Sequence, residues 1–256
     1  MEENREIVFN KEANKNKYLL SLVIGAILFL LLSMVYTVSI RFLLSYKYPG
    51  IVFDDLESNP AYYEALSLIQ FLYQIPLIFF FIFMFKTDLK NDFKIFKSSL
   101  AKNIGFIFGG FVLCIVLTYV SASIYEAFGI VDTSENQEII DTALGGKGNV
   151  FMALSVVLCA PFVEEMLFRK SLCDTLKYKF HVHDVLTIIL STLIFSFMHV
   201  TDFKSIIFIF QYIPLALVIV LSYYFTKSIY VSMGIHLLNN LFSVIATLLY
   251  IYGGLE

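Results

Sequence analysis

The chain alternates between long apolar runs and short polar segments. Apolar residues predominate in seven runs, at about 18–42, 61–85, 104–128, 150–169, 185–200, 205–225 and 229–252. A helix rises about 1.5 Å per residue, so about 20 apolar residues cross the roughly 30 Å of hydrocarbon in a bilayer. All the runs except the short fifth meet this requirement. The pattern predicts an all-α, polytopic transmembrane helix bundle of about seven spans.

Composition supports insertion into a lipid bilayer. The 256 residues are 59% hydrophobic and only 15% charged, whereas soluble domains are roughly 45–50% apolar and 25% charged. The net charge of −3 provides no basic surface, so we expect no nucleic-acid partner. The cysteines lie in or beside apolar runs, where we expect free thiols: Cys114, Cys159 and Cys173.

Lysine and arginine are concentrated on alternate polar segments. They precede the first run, separate the second from the third, and follow the fourth, at 5–17, 86–102 and 169–179. The intervening segments carry few lysines and are acidic. Positively charged loops stay in the cytoplasm, so the amino terminus is predicted to be inside. A composition rich in Lys, Ile, Asn and Phe is compatible with a bacterial cytoplasmic membrane.

Two adjacent glutamates interrupt the fourth apolar run. A charge at the centre of a bilayer costs about 2.5–3.5 kcal/mol on insertion scales, so Glu164 and Glu165 require an explanation. Glu165 and Arg169 are four residues apart on one helix face and are predicted to form an ion pair. Glu164 points about 100° away from Glu165 on a helix, and this pair leaves it unexplained.

Polar side chains on two other runs are candidates to meet Glu164. The fifth run ends with Phe195 and, one turn later, His199; the seventh opens with His236 and Asn240 on one helix face. A lone intramembrane histidine is often only a hydrogen bonder between helices. A carboxylate, two histidines and an amide on three runs favour one shared site.

The spacing of Glu164 and His199 predicts their contact. Their midpoint falls at 181–183, so an antiparallel hairpin that turns there places the two side chains opposite each other. His199 lies near the outer end of its run, and the depths agree if 200–204 dips into the protein. His181 and His183 have a spacing seen in zinc sites, but we expect them in a solvated cytoplasmic turn.

Such a site has the composition of a hydrolase without a serine or cysteine nucleophile. A carboxylate beside a histidine can take a proton from water and pass it to a leaving amine. His236 and Asn240 can donate hydrogen bonds to a developing oxyanion. The sequence contains no His-Glu-x-x-His zinc helix.

The order of these motifs resembles that of a known family, the CAAX prenyl endopeptidase and bacteriocin-processing (CPBP, Abi) intramembrane proteases. The shared pattern is Glu-Glu-x-x-x-Arg, then Phe-x-x-x-His, then His-x-x-x-Asn, over about residues 150–245. It is filled here by Glu164, Glu165 and Arg169, by Phe195 and His199, and by His236 and Asn240.

The resemblance implies a role for each of these residues. Glu164 would activate water with His199 as its partner, and His236 with Asn240 would form the oxyanion site. The supporting residues would be Glu165, Arg169 and Phe195. Members of the family were long classed as metalloproteases, and Glu164, His199 and His236 form a possible zinc set. Asn240 beside His236 favours a reaction without a metal, so we expect no cofactor.

The resemblance also implies a division of the chain into three segments. We expect a cytoplasmic segment at 1–17, accessory transmembrane helices at 18–149 and the catalytic membrane core at 150–252. The expected function is endopeptidase cleavage of a leader-bearing, prenylated or membrane-associated peptide in a cavity that opens toward the cytoplasm. In bacteria the family is linked to peptide maturation and bacteriocin immunity. The alternatives are a non-proteolytic immunity or sensor-partner protein, and a transporter that uses Glu164 as its proton carrier.

Overall fold

The computed structural model describes residues 13–49, 59–130, 132, 134–200 and 204–253. Within these ranges the chain is helical and contains no strand, which confirms the all-α prediction. In chain order the helices are α1 (Lys15–Lys47), α2 (Pro60–Ser98), α3 (Leu100–Ala127), α4 (Glu135–Gly145), α5 (Asn149–Lys179), α6 (Asp184–Phe197), α7 (Ile209–Thr226) and α8 (Ile229–Gly253). Residues 1–12 of the expected amino-terminal segment and 201–203 of the expected dip lie outside the described residues.

Six of these helices are long and apolar enough to cross a membrane. They are α1, α2, α3, α5, α7 and α8, and α7 is preceded by a 3-10 turn at Lys204–Phe208. The seventh apolar helix, α6, has 14 residues and is correspondingly short. The prediction of about seven spans is confirmed, and the chain is an integral membrane protein.

Helix α5 occupies the centre of the bundle. Half of its most apolar window is buried inside the protein, compared with 6% for α3. Large apolar side chains on the peripheral helices face outward, among them Leu30 on α1 and Phe83 on α2. Outward apolar faces suit contact with lipid, so the central position of α5 indicates that it carries the protein's polar site.

Helix α5 is irregular along most of its length. It has π-helical turns at Ser155–Cys159, Met166–Cys173 and Thr175–Lys179, and an α-helical stretch at Ala160–Glu165 separates the first two. Such turns are rare and occur frequently at functional sites. The two glutamates close the α-helical stretch, where the geometry of the helix changes.

A tight turn joins α5 to α6 at the predicted position. His181 adopts a left-handed conformation with φ of 53°. His183 caps α6, because its Nδ1 atom accepts a hydrogen bond from the backbone N–H of Val185 at 3.3 Å. The antiparallel hairpin that turns at 181–183 is therefore confirmed, and both histidines are exposed in that turn.

Helix α4 was not predicted, because no apolar run covers 129–149. The buried Ser134 caps it by accepting a hydrogen bond from the backbone N–H of Gln137 at 3.3 Å. Ala143 and Leu144 are buried where α4 packs against α2, α5 and α8. The segment between α3 and α5 thus forms an ordered cover over one end of the bundle.

A group of buried polar side chains ties the helices together at the opposite end. Lys170 on α5 forms an ion pair with Asp92 on α2, with 2.6 Å between Nζ and Oδ2. The same oxygen accepts the backbone N–H of Ile229 at 3.2 Å. Tyr223 on α7 donates to Asp174 on α5 at 3.1 Å. We call these four side chains, Asp92, Lys170, Asp174 and Tyr223, the basal network.

Candidate functional site

The structure brings Glu164, His199 and His236 together from three parts of the chain. The Oε2 atom of Glu164 lies 4.0 Å from Nε2 of His199 and 3.8 Å from Nε2 of His236. Glu164 lies on α5, His199 follows the end of α6, and His236 lies on α8. One carboxylate oxygen therefore faces the same ring nitrogen of two imidazoles.

Both imidazoles are oriented through their other nitrogen. Nδ1 of His199 lies 2.9 Å from the carbonyl oxygen of Phe195, and Nδ1 of His236 lies 3.1 Å from Oε1 of Glu165. A carbonyl and an ion-paired carboxylate only accept hydrogen bonds, so the hydrogen is on Nδ1 in each case. The Nε2 atoms are thereby directed at Glu164.

Glu165 forms the predicted ion pair. Its Oε2 atom lies 3.1 Å from Nε of Arg169, and both side chains are fully buried. Arg169 also donates from Nη1 to the hydroxyl of Ser191 on α6 at 3.0 Å. Beyond the predicted pair, Glu165 also accepts the hydrogen bond from His236, which the helix-face argument missed. It joins the buried arginine to an imidazole of the site.

Phe195 lies against both histidines. Its ring is fully buried, with centroid distances of 4.9 Å to the imidazole of His199 and 5.8 Å to that of His236. The guanidinium of Arg169 lies 5.2 Å from the same ring on another side. A single aromatic side chain thus contacts the guanidinium of Arg169 and both imidazoles.

Asn240 lies in the same cavity, and one N–H of its side-chain amide forms a hydrogen bond. Its Nδ2 atom donates to the carbonyl oxygen of Val156 at 2.9 Å. Val156 belongs to the first π-helical turn of α5. An asparagine amide has two N–H groups, so one remains for another acceptor. The neighbouring Asn239 also lines the cavity and was not predicted, since adjacent helix positions point about 100° apart.

Tyr212 is a further residue of the site that sequence reasoning missed. Its ring stacks on the imidazole of His199, with the centroids 4.5 Å apart and the planes 25° apart. Its hydroxyl lies 2.6 Å from that of Ser134 and accepts a hydrogen bond from Asn136 at 3.4 Å. A tyrosine in an apolar run carries no signal of its own, and its partners belong to the unpredicted α4.

A cavity of about 630 Å³ contains Glu164, His199, His236 and Asn240. Its walls come from α1 to α5, α7, α8 and the residues that follow α6, and they include polar side chains beyond the predicted set. Among these are Gln70 and Gln74 of α2, Tyr119 and Tyr125 of α3, Asn136 and Gln137 of α4, and Gln211 of α7.

The cavity extends from Glu164 toward the end of the bundle that α4 covers. No residue of the described segments 98–100, 180–183 or 227–228, which join helices at the other end, lines it. The lysine distribution predicts that α4 is outside the cell. The expected opening toward the cytoplasm therefore disagrees with the predicted orientation.

The distances between the possible donor atoms show whether the site suits zinc. Tetrahedral ligands held at about 2.0–2.2 Å from zinc lie roughly 3.4 Å from one another. The Nε2 atoms of His199 and His236 are farther than this from Glu164, at 4.0 and 3.8 Å. Among the described residues, no three His, Cys, Asp or Glu side chains form a group suited to a metal ion.

The fold and this site define an integral membrane protein with a carboxylate and two imidazoles gathered between its helices. Residues 146–242 match a family model described as type II CAAX prenyl endopeptidase Rce1-like. All seven motif residues fall inside the matched range, which confirms the resemblance drawn from the three motifs. The match supports a CAAX-type membrane endopeptidase at the family level. No curated protein and no solved structure matches the chain.

Proposed function

We propose that this protein is an intramembrane endopeptidase whose catalytic base is Glu164. The observation that carries the proposal is the position of its Oε2 atom, which faces Nε2 of both His199 and His236 inside a cavity between helices. Glu164 is also accessible from that cavity, with 21% of its side chain exposed, whereas Glu165 has none exposed. Only the first of the two carboxylates can meet a substrate.

The first step is the activation of water by Glu164. A distance of 4.0 Å between Glu164 and His199 is too long for a direct hydrogen bond, so a water molecule that contacts both groups would connect them. The carboxylate takes a proton from this water, and the oxygen attacks the carbonyl carbon of the scissile peptide. His199 accepts a hydrogen bond through Nε2 and holds the water in place.

The second step is the collapse of the tetrahedral intermediate. Its oxyanion is stabilised by Nε2–H of His236 in the protonated imidazole and by the second N–H of Asn240. Glu164 returns its proton to the leaving nitrogen as the carbon–nitrogen bond breaks, which yields a carboxylate and an amine. The buried carboxylate of Glu165 accepts the hydrogen bond from Nδ1 of His236 at 3.1 Å and so holds the ring with Nε2 toward the oxyanion.

Glu165, Arg169 and Phe195 act as positioning residues in this proposal. They contact the two histidines or one another, and none of them is exposed. Their packing limits the motion of both imidazoles, and rates depend strongly on such geometry.

We propose that the reaction proceeds without a metal ion. The donor separations exceed those of a bound zinc, and Asn240 is committed in part to Val156. A zinc ion at this place would be held by Glu164, His199 and His236 and would supply a Lewis acid. The carboxylate and the two imidazoles supply a base and oxyanion donors on their own.

The setting proposed is a bacterial cytoplasmic membrane with the amino terminus inside. The substrate would be a peptide that carries a leader segment or is associated with the membrane, as in peptide maturation, bacteriocin processing or immunity. The sequence supports this through its lysine distribution.

The test compares cleavage products in a strain that lacks the gene and carries either the wild-type protein or Glu164→Gln. New peptide termini, identified by mass spectrometry, should appear with the wild type and be absent with Glu164→Gln at equal expression. Glu126→Gln on α3 is the matched control, since it makes the same chemical change at a residue outside the cavity lining. Restoration of all termini by Glu164→Gln would exclude the proposed reaction.

A further inference from the structure

We infer that the cavity is entered from the side opposite the lysine-rich ends of the helices, so that the substrate is a neutral peptide segment at the non-cytoplasmic face. This inference rests on the proposed function. Five features of the described residues carry it: the floor of the cavity, the basal network, the rim at α4, the distribution of lysines and the polar character of the walls.

The floor of the cavity is closed by close packing of α3 against α8. A Cβ atom at Gly110 would lie 2.5 Å from Cδ1 of Ile235, and one at Gly234 would lie 2.7 Å from Cδ1 of Ile107. Two glycines therefore allow these helices to approach more closely than larger residues would permit. Ile235 precedes His236, so the seal lies directly below the site.

The basal network closes the same side beneath α5. Lys170 is fully buried and Asp92 nearly so, and their ion pair joins α5 to α2. Arg169, the preceding residue, is also fully buried and pairs with Glu165. A peptide that approached from this end would have to break two buried ion pairs, each of which costs about 3–5 kcal/mol when one partner is lost.

The opposite end of the cavity has a polar rim. Asn136 and Gln137 lie in the first turn of α4 and are half-buried at the cavity surface. Tyr212 connects this rim to His199 through its hydroxyl contacts with Ser134 and Asn136. The path from the rim to Glu164 is therefore continuous along the cavity wall.

The distribution of lysines orients this rim away from the cytoplasm. Most lysines of the described residues lie at the floor end, on the last part of α2, the start of α3, the end of α5 and the α7–α8 turn: Lys86, Lys90, Lys94, Lys97, Lys102, Lys177, Lys179 and Lys227. Only Lys47, Lys147 and Lys204 of the described residues lie toward the other end. The helix at the rim carries acids, Glu135, Glu138 and Asp141. Positively charged segments remain in the cytoplasm, which places α4 outside.

The walls identify the chemical class of the substrate. Glu164 is the only carboxylate among the described lining residues, and no lysine or arginine is among them. Side-chain amides and phenols predominate among the polar groups, and these pair with a peptide backbone rather than with a charged head group. A prenyl group on a cytoplasmic protein would approach the closed floor, whereas an uncharged stretch of a translocated peptide would approach the rim.

The test is labelling of single introduced cysteines in intact cells with a membrane-impermeant maleimide. Gln70→Cys probes the depth of the cavity, Asn136→Cys its rim and Lys94→Cys the lysine-rich end. The native cysteines are all buried, so labelling of the wild-type protein gives the background signal. Labelling after permeabilisation reports whether each cysteine can react at all, and labelling does not require cleavage.

We expect Gln70→Cys and Asn136→Cys to be labelled fully in intact cells, with no gain after permeabilisation, and Lys94→Cys to be labelled only after permeabilisation. Labelling of Lys94→Cys from outside, with Asn136→Cys protected, would show that the protein has the opposite orientation in the membrane and would overturn the inference. So would failure of Gln70→Cys to react in intact cells. If the labelling were as expected but the protein cleaved no peptide, the inferred access route would stand and the proposed endopeptidase function would be excluded.

Discussion

The phenol ring of Tyr212 stacks on the imidazole of His199, with their centroids 4.5 Å apart. The hydroxyl of Tyr212 contacts that of Ser134, which caps α4. Tyr212 therefore links α4 to a histidine of the site. The orientation of His199 is thus set by a carbonyl oxygen on one side and by an aromatic plane on another.

Replacement of Tyr212 should separate stacking from hydrogen bonding. An aromatic pair contributes about 0.5–1.5 kcal/mol beyond its burial, which corresponds to a factor of roughly 2 to 12 in rate. Tyr212→Ala should lower kcat by about that factor, whereas Tyr212→Phe keeps the ring and should retain most of kcat. The measurements are steady-state kinetics, the pH profile of kcat and the thermal midpoint. A fall in the thermal midpoint with unchanged kcat would show that Tyr212 only supports the fold.

The two glutamates should differ in their effect on stability. Glu165→Gln leaves Arg169 buried without its charged partner, and loss of one partner costs about 3–5 kcal/mol. Glu164→Gln, at a partly exposed position, should leave the thermal midpoint nearly unchanged while it abolishes turnover. Thermal unfolding in detergent compares the two variants under one condition. A stable but inactive Glu165→Gln protein would contradict this division.

Asn240→Ala should reduce the rate without removing it. Loss of one oxyanion donor costs about 10²–10³ in kcat, or roughly 2.7–4 kcal/mol. Asn239→Ala is the matched control, since it removes the neighbouring amide from the same cavity. KM should change little with Asn240→Ala, because the donor acts in the transition state. Equal losses in both variants would argue against a specific role for Asn240.

Purified active protein should contain no stoichiometric zinc, and chelators should leave its activity unchanged. The reason is the wide spacing of Glu164, His199 and His236 relative to ligands of one ion. Elemental analysis and an activity assay after dialysis against chelator measure the two quantities. One zinc per chain, with activity lost on chelation and restored by zinc alone, would establish the metal-dependent reaction.

The buried ion pair of Asp92 and Lys170 in the basal network should stabilise the protein. Asp92→Asn removes the carboxylate that lies 2.6 Å from the buried Lys170 and should lower the free energy of unfolding by about 3–5 kcal/mol. The double variant Asp92→Leu, Lys170→Met should recover much of that loss. The exposed pair of Lys177 and Asp184, 2.7 Å apart, is the control, and its loss should cost only about 0–1 kcal/mol. Full additivity of the two buried changes would show that the pair does not interact.

Local periodicity was sufficient to predict most of the fold. Apolar runs longer than about 20 residues have few alternatives to a membrane helix, and the spacing of Glu164 and His199 located the turn at 181–183. The pair of Glu165 and Arg169 followed from helix geometry in the same way. These inferences depend on residues close in sequence or on one simple hairpin.

The remaining contacts depend on the packing of distant helices. No local signal links Tyr212 to Ser134, or Asn240 to the carbonyl of Val156, because α4 and the π-helical turns of α5 were not predicted. The bond from His236 to Glu165 was missed for another reason. A helix-wheel argument gives each side chain one direction, but a carboxylate has two oxygens and here holds two partners.

The closed floor beneath Glu164 has an electrical consequence. With the cavity filled from the outer side, as we propose, the outer solution reaches Glu164, and the membrane potential falls mainly across the packed layer below. Moving one charge through that potential costs about 2.3 kcal/mol per 100 mV, but a proton exchanged between Glu164 and the cavity does not cross it. Turnover would then follow the acidity outside the cell and be independent of voltage, unlike that of a proton-coupled transporter.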